Sequence, residues 1–199
     1  MKKIEKNKIG ILGGTFDPAH MGHIKISKEA KKKFNLNEIF WIITKKNPFK
    51  KKSFFSLKKR INHAKKININ NKFIKIYFFE DKIKSNKTID LMKFLKNRYK
   101  KTEFFFIMGA DNLINFHKWQ KWKDIFNDIA IVVFRRHGYN TKALKSHTSH
   151  IYKNYKIDRK NLSVDDFIKL PAWTLIQNKE IKVSSTEIRK QRELLRFKN

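Results

Sequence analysis

His20 and His23 close the stretch Gly13-Gly14-Thr15-Phe16-Asp17-Pro18-Ala19-His20-Met21-Gly22-His23, which lies between the apolar run Ile9 to Leu12 and a periodic segment beginning at Ile24. An imidazole can donate a hydrogen bond to a phosphate oxygen, and a nearby phosphate favours its protonated form. At the mouth of a helix, unpaired backbone N–H groups and the positive end of the macrodipole favour an anion as well. With only Met21 and Gly22 between them, both rings can face one ligand from a tight bend, and a polyphosphate suits that setting. Gly13 and Gly14 are expected to take positive φ and let a ligand come close to the backbone, and Gly22 to keep the approach to His23 open. No glycine precedes Lys-Ser or Lys-Thr, so the stretch is not a P-loop, and it is not the G-x-G-x-x-G of dinucleotide folds. In the plainer alternative, Thr15 and Asp17 cap a local turn and the histidines are ordinary surface residues.

A second polar cluster, Ser184-Ser185-Thr186-Glu187-Ile188-Arg189, offers hydroxyls, free N–H donors and an arginine at a helix start. It reads as a second anion site facing the first across the sheet, with Ser184 or Ser185 as N-cap. An ordinary capping box has much the same appearance.

The elements that must position these groups alternate along the chain. Ile9 to Leu12 reads as a strand, Gly22 to Phe34 as a helix and Ile39 to Ile43 as a second strand, a β-α-β unit with a parallel pair and a right-handed crossover. The glycine-histidine turn then falls at the carboxyl end of the first strand, where open α/β sheets bind ligands. A basic loop from Thr44 to Lys52 precedes a helix over Ser56 to Lys66. Phe73 to Phe79 is β-rich, Thr88 to Tyr99 helical and Glu103 to Met108 a strand. A helix around Trp122 to Asn127 leads to a buried strand over Ile129 to Phe134. His137 to Asp158 is polar and weakly periodic, which predicts an irregular or short-helical excursion; Trp173 to Ile176 is a candidate last strand, and a helix opens at Ser184 or Ser185. The fold class expected is α/β, with a doubly wound, mostly parallel sheet.

The 199 residues, 40% of them apolar, suit one domain spanning 1–199. There is no cysteine, so no disulfide framework or cysteine metal site, and no apolar run approaches membrane-spanning length. A cytoplasmic protein with no membrane partner is expected. Its 48 Lys plus Arg against 17 Asp plus Glu leave a formal charge of +31, which raises a nucleic-acid-binding alternative. The lysines are spread from end to end without an aromatic RNA-binding signature, so a solvated surface is expected and no specific nucleic-acid partner. Homo-oligomerisation stays open.

The first stretch closely resembles the G-T-F-D-P-x-H-x-G-H signature of the nucleotidyltransferase superfamily of adenylyl- and cytidylyltransferases, and the cluster from Val183 resembles its second signature, I-S-S-T-x-I-R. Gly109-Ala110-Asp111-Asn112 followed by Trp119, and Arg135-Arg136-His137-Gly138-Tyr139, resemble blocks of the bacterial nicotinate-mononucleotide adenylyltransferases. The resemblance covers nearly the whole chain and implies a Rossmann-like nucleotidyltransferase fold. It implies that His20, His23 and Arg189 are catalytic. ATP would be held by Gly13, Gly14, Thr15, Phe16, His20, His23, Gly109, Asp111, Ser184, Ser185, Thr186 and Arg189. In the family the tryptophan at the place of Trp119 stacks on the nicotinate ring, and the threonine at the place of Thr88 holds the nicotinate carboxylate with neighbouring N–H groups. Asp111 and Lys46 complete the expected acceptor contacts. Two loops depart from the pattern: Lys87 replaces the usual tyrosine before Thr88, and Pro48-Phe49-Lys50-Lys51 stands for the usual P-P-H-K.

The chemistry so implied is transfer of AMP from ATP to nicotinate mononucleotide, giving nicotinate adenine dinucleotide and pyrophosphate in NAD biosynthesis. The attacking phosphate is already ionised and needs no general base, so positioning and charge stabilisation carry the catalysis. No Asp/Glu cluster has metal spacing, so Mg²⁺ is expected to arrive with ATP and no protein ligand is named; Asp17 suits a structural role. A pantetheine-phosphate adenylyltransferase, which shares both end motifs, or another small-molecule nucleotidyltransferase is the alternative within the superfamily.

Overall fold

In the computed structural model, which describes residues 6–46, 53–158, 162–167, 169–177 and 183–196, strands and helices alternate as the periodicity predicts. The first half runs β1 (Asn7–Gly14), α1 (Met21–Lys33), β2 (Glu38–Ile43), α2 (Leu57–Ile67), β3 (Ile74–Tyr77), α3 (Glu80–Ile83) and α4 (Thr88–Arg98). The second runs β4 (Thr102–Gly109), α5 (Ala110–Ile114), α6 (Trp122–Asp128), β5 (Ala130–Phe134), α7 (Asn140–Leu144), α8 (His147–Ile151), β6 (Trp173–Ile176) and α9 (Ser185–Arg196). The polar excursion is thus a pair of short helices followed by a 3-10 turn at Lys153–Tyr155.

All pairings among the six strands are parallel, in the order β3-β2-β1-β4-β5-β6. The chain winds one way from β1 to β3, then returns to the centre and winds the other way from β4 to β6. The switch point lies between β1 and β4, and the crevice outside their carboxyl ends is where such sheets take ligands.

Successive side chains of a strand point to opposite faces, and here both faces are buried. Ile9, Ile11, Phe40, Ile42, Phe106, Met108, Ile131 and Val133 join one apolar cluster, while Leu12, Ile39, Trp41, Ile43, Phe105, Ile107, Val132 and Phe134 join the other. That is why the strand sequences read as near-continuous apolar runs. Among the described residues no helix is long and apolar enough to cross a membrane.

The differences from expectation are local. α3 and α5 span four and five residues, too few to show a helical period. Ile129 caps α6 instead of opening β5. Gly13 and Gly14 do not take positive φ: they are the last residues of β1, still paired with Ile42 and Ile43, and the left-handed residue is Phe16, at φ +46°. Pro48 to Lys51 lie outside the described residues.

Candidate active site

Phe16 turns the chain out of β1. A left-handed conformation costs an ordinary residue roughly 1–2 kcal/mol, and burying a phenylalanine ring contributes about 1.5–3 kcal/mol, so packing can hold the turn. The ring is 2% exposed, stacks on Trp41 with centroids 5.0 Å apart and lies 4.7 Å from the His23 ring. Trp41 Nε1 donates to Ser27 Oγ at 2.8 Å, and Ser27 Oγ donates to the His23 carbonyl at 2.8 Å. β2 thereby fixes the first turn of α1 that carries His23.

His20 is the N-cap of α1, in extended backbone conformation. Its Nδ1 accepts from the Gly22 N–H at 3.1 Å, and its own N–H donates to His23 Nδ1 at 3.1 Å, a reciprocal capping box built from two imidazoles. The ring centroids are 3.9 Å apart. A Cβ on Gly22 would sit 2.8 Å from the His20 ring, so Gly22 makes room for His20.

Because each Nδ1 is an acceptor, each neutral ring carries its proton on Nε2. Burial and the Arg136 charge push His20 down to about 4 despite the opposing charge of Glu187. His23 is driven well below 6.5 by burial, His20 and Arg136, against the raising effect of the His20 N–H bond. At neutral pH the pair is two uncharged Nε2–H donors.

The second cluster lies at the same corner rather than across the sheet. Ser184 caps α9: its Oγ accepts from the Glu187 N–H at 3.2 Å and its N–H donates to Glu187 Oε2 at 2.8 Å. Ser185 Oγ donates to the Pro18 carbonyl at 2.9 Å, and Arg189 Nη1 donates to the Asp17 carbonyl at 2.6 Å. Arg189 Nη2 also donates to Thr186 Oγ1 at 3.1 Å. The hydroxyl proton of Ser185 is therefore spent on the motif turn. The Asp17 carboxylate, buried, accepts from the N–H groups of Phe54 and Phe55 at 2.7 and 2.9 Å, the structural role its place suggests.

Gly109 ends β4 and Asp111 stands in the first turn of α5. Arg136 Nη1 donates to Asp111 Oδ2 at 2.7 Å, while the buried Oδ1 has no hydrogen-bond partner among the described residues. Trp119, half-buried, packs on Phe116 at 4.7 Å and edge-on to Phe106 at 6.0 Å. Trp122 packs edge-on to Tyr152 and His147. Beyond β2 and β3 a cavity of about 660 Å³ is walled by Lys45, Lys46, Glu80, Ser85, Lys87 and Asp90. Thr88, the first residue of α4, follows Lys87 there. No hydrogen bond or ring contact joins Thr88, Lys46 or Trp119 to the histidine pair among the described residues.

The sequence pattern gives no role to two arginines of the site. Arg136 stands in the Arg135 to Tyr139 block, and its charge reaches both imidazoles. Arg60, 2% exposed on α2, has no sequence signal beyond its charge on an otherwise lysine-rich helix. No group of three or more His, Cys, Asp or Glu among the described residues could hold a metal ion.

A 3-2-1-4-5-6 parallel sheet with an anion-suited corner at its switch point defines a nucleotide-handling α/β protein, and a family model described as cytidylyltransferase-like matches residues 11–191. The chain is 52% identical over 186 residues to a probable nicotinate-nucleotide adenylyltransferase of Pelagibacter ubique, covering 94% of each chain. It is 34% identical over 183 residues to that of a Ruegeria species, covering 92% of this chain and 96% of the relative. The chain belongs to the cytidylyltransferase-like family and, within it, to the nicotinate-nucleotide adenylyltransferases. The fold is also that of the Plasmodium falciparum nicotinic acid mononucleotide adenylyltransferase complexed with NaAD, with a TM-score of 0.64 at 23% identity, covering 92% of this chain and 83% of that one.

Proposed function

We propose that this chain transfers the AMP moiety of ATP to the phosphate of nicotinate mononucleotide, giving nicotinate adenine dinucleotide and pyrophosphate, a step of NAD biosynthesis. The observation that carries the reading is the pair of Nε2–H donors at the switch point, locked by their reciprocal cap. A phosphate oxygen of the mononucleotide attacks the α-phosphorus, the new P–O bond forms, and the bond to the bridging oxygen of the β-phosphate breaks. The nucleophile is already ionised, so the chain has only to align the reactants and stabilise charge.

His20 and His23 donate to oxygens on which negative charge develops. Arg189 and the N–H groups at the start of α9 hold the pyrophosphate end; Ser185 contributes its main chain, since its hydroxyl holds the motif turn. Ser184 and Thr186 flank that site. The backbone from Gly13 to Phe16 borders the nucleotide, and Gly109, where a Cβ would sit 2.5 Å from Asp111 Oδ1, makes room for the Asp111 carboxylate beside it. Asp111, paired with Arg136, contacts the nucleotide or the mononucleotide. Trp119 stacks on the pyridine ring, while Thr88 and Lys46 meet the acceptor's anionic groups. The donors gathered here suit an anion and not a cation, so Mg²⁺ belongs to the incoming ATP.

Pyrophosphate release from ATP with a panel of acceptor phosphates tests the reading. Turnover with nicotinate mononucleotide, well above that with the amide mononucleotide or phosphopantetheine, is expected; activity confined to phosphopantetheine would move the chain to the other branch of the superfamily.

A further inference from the structure

One guanidinium joins the two halves of the proposed site. Arg60 Nη1 donates to the carbonyls of Thr15 at 2.6 Å and Thr44 at 2.7 Å, Nη2 to that of Lys45 at 2.8 Å and Nε to that of Phe55 at 3.2 Å. Thr15 belongs to the motif turn, whereas Thr44 and Lys45 leave β2 and lead into the wall of the 660 Å³ cavity. The Lys45 peptide is held from both sides, because its N–H donates to Glu80 Oε1 at 3.1 Å and its side chain pairs with Asp81.

A buried cation is costly unless its donors are satisfied. Carbonyls take four of the five Arg60 N–H groups, and the Asp17 and Glu80 charges oppose the lowering of its pKa that burial causes. The tie is reciprocal: Asp17 of the motif turn takes the N–H groups of Phe54 and Phe55, and Arg60 takes the carbonyls of Phe55 and Thr15. Lysine offers a point charge and cannot bridge carbonyls spread around a planar fork.

We infer that Arg60 is a positioning residue, touching neither substrate, that fixes the Lys45–Lys46 wall of the acceptor cavity relative to the ATP turn. This rests on the acceptor reading above. The motif turn has other anchors, at Ser185 and Arg189, whereas beyond β2 the carbonyls of Thr44 and Lys45 are held by the Arg60 fork, with Ser53 Oγ also reaching the Lys45 carbonyl at 3.5 Å; the Thr44 N–H stays on Gly14, the Lys45 N–H on Glu80 and the Lys45 side chain on Asp81. Loss of the fork therefore damages acceptor handling more than ATP binding.

The test compares wild type, Arg60→Lys and Arg60→Gln in melting temperature, steady-state kinetics with nicotinate mononucleotide, and affinity for a non-hydrolysable ATP analogue without acceptor. Misplacement of a substrate-positioning group by ~1 Å costs on the order of 10²-fold, so kcat/KM for the acceptor should fall by on the order of 10²-fold in both variants, while analogue affinity changes less than about threefold. Unchanged kinetics with only a lower melting temperature would overturn the inference. So would equal losses for both ligands, or failure of both variants to fold. Wild-type inactivity towards nicotinate mononucleotide would instead reject the acceptor reading, a result separable from any variant's behaviour.

Discussion

Arg189 Nη1 donates to the main-chain carbonyl of Asp17 at 2.6 Å, across 172 residues of sequence. With the bond from Ser185 Oγ to Pro18, it binds the first helix turn of α9 onto the turn that delivers the histidines. The two signatures at the ends of the chain therefore form one structural corner, and replacing Arg189 affects both the proposed anion site and the latch. Arg189→Lys keeps the charge and loses the fork. Steady-state kinetics should show a raised KM for ATP; unchanged KM and kcat would leave Arg189 only the latch.

His20→Asn separates capping from chemistry. Asparagine is a good N-cap and supplies a side-chain oxygen to the helix start, so the melting temperature should stay near wild type. The Nε2–H donor is lost, and removing one such donor typically costs on the order of 10²–10³ in rate. His20→Ala should lose turnover similarly and also destabilise the fold by about 1 kcal/mol through the missing cap. Near-full kcat in His20→Asn would deny His20 a role in charge stabilisation.

The capping box also sets a pH response. Folding holds both rings neutral, with His20 at about 4 against an ordinary 6.5, so the unfolded chain binds more protons between those values. Their contribution to stability is full above about pH 6.5 and is lost as the pH falls towards 4. Melting curves for wild type and His20→Asn should diverge in slope over that window, the variant depending less on pH. Imidazole ¹⁵N spectra at pH 6.5 should show two Nε2–H tautomers; a charged ring there would contradict the geometry.

Much of this site is legible in the sequence. The apolar run before Gly13, the histidine spacing and the helical period after Ile24 place β1, its turn and α1, because each is a local signal. Trp173–Ile176 was legible as a strand for the same reason. Arg60 was not, since its partners lie 5, 15, 16 and 45 residues away and are all backbone carbonyls, which no side-chain pattern marks. Nor was the imidazole capping box, because histidine is not among the residues that usually announce an N-cap. The turn chemistry misled at Gly13 and Gly14, where sheet pairing continues through the glycines and a buried aromatic ring holds the left-handed bend.

Trp119→Ala tests the acceptor side. The ring already packs on Phe116 and Phe106, and the proposal gives its remaining surface to the pyridine. KM for nicotinate mononucleotide should rise several-fold or more, in keeping with about 1–3 kcal/mol for a base stacked on an aromatic side chain, while affinity for an ATP analogue stays nearly unchanged. A fall in ATP affinity instead would place Trp119 on the other substrate.

Product analysis of the wild-type chain with ATP, Mg²⁺ and nicotinate mononucleotide, by ³¹P NMR, addresses the central claim most directly. The account predicts one nicotinate adenine dinucleotide and one pyrophosphate for each ATP consumed, with no ADP. ADP or orthophosphate as the product, or no reaction with this acceptor under conditions where phosphopantetheine reacts, would contradict it.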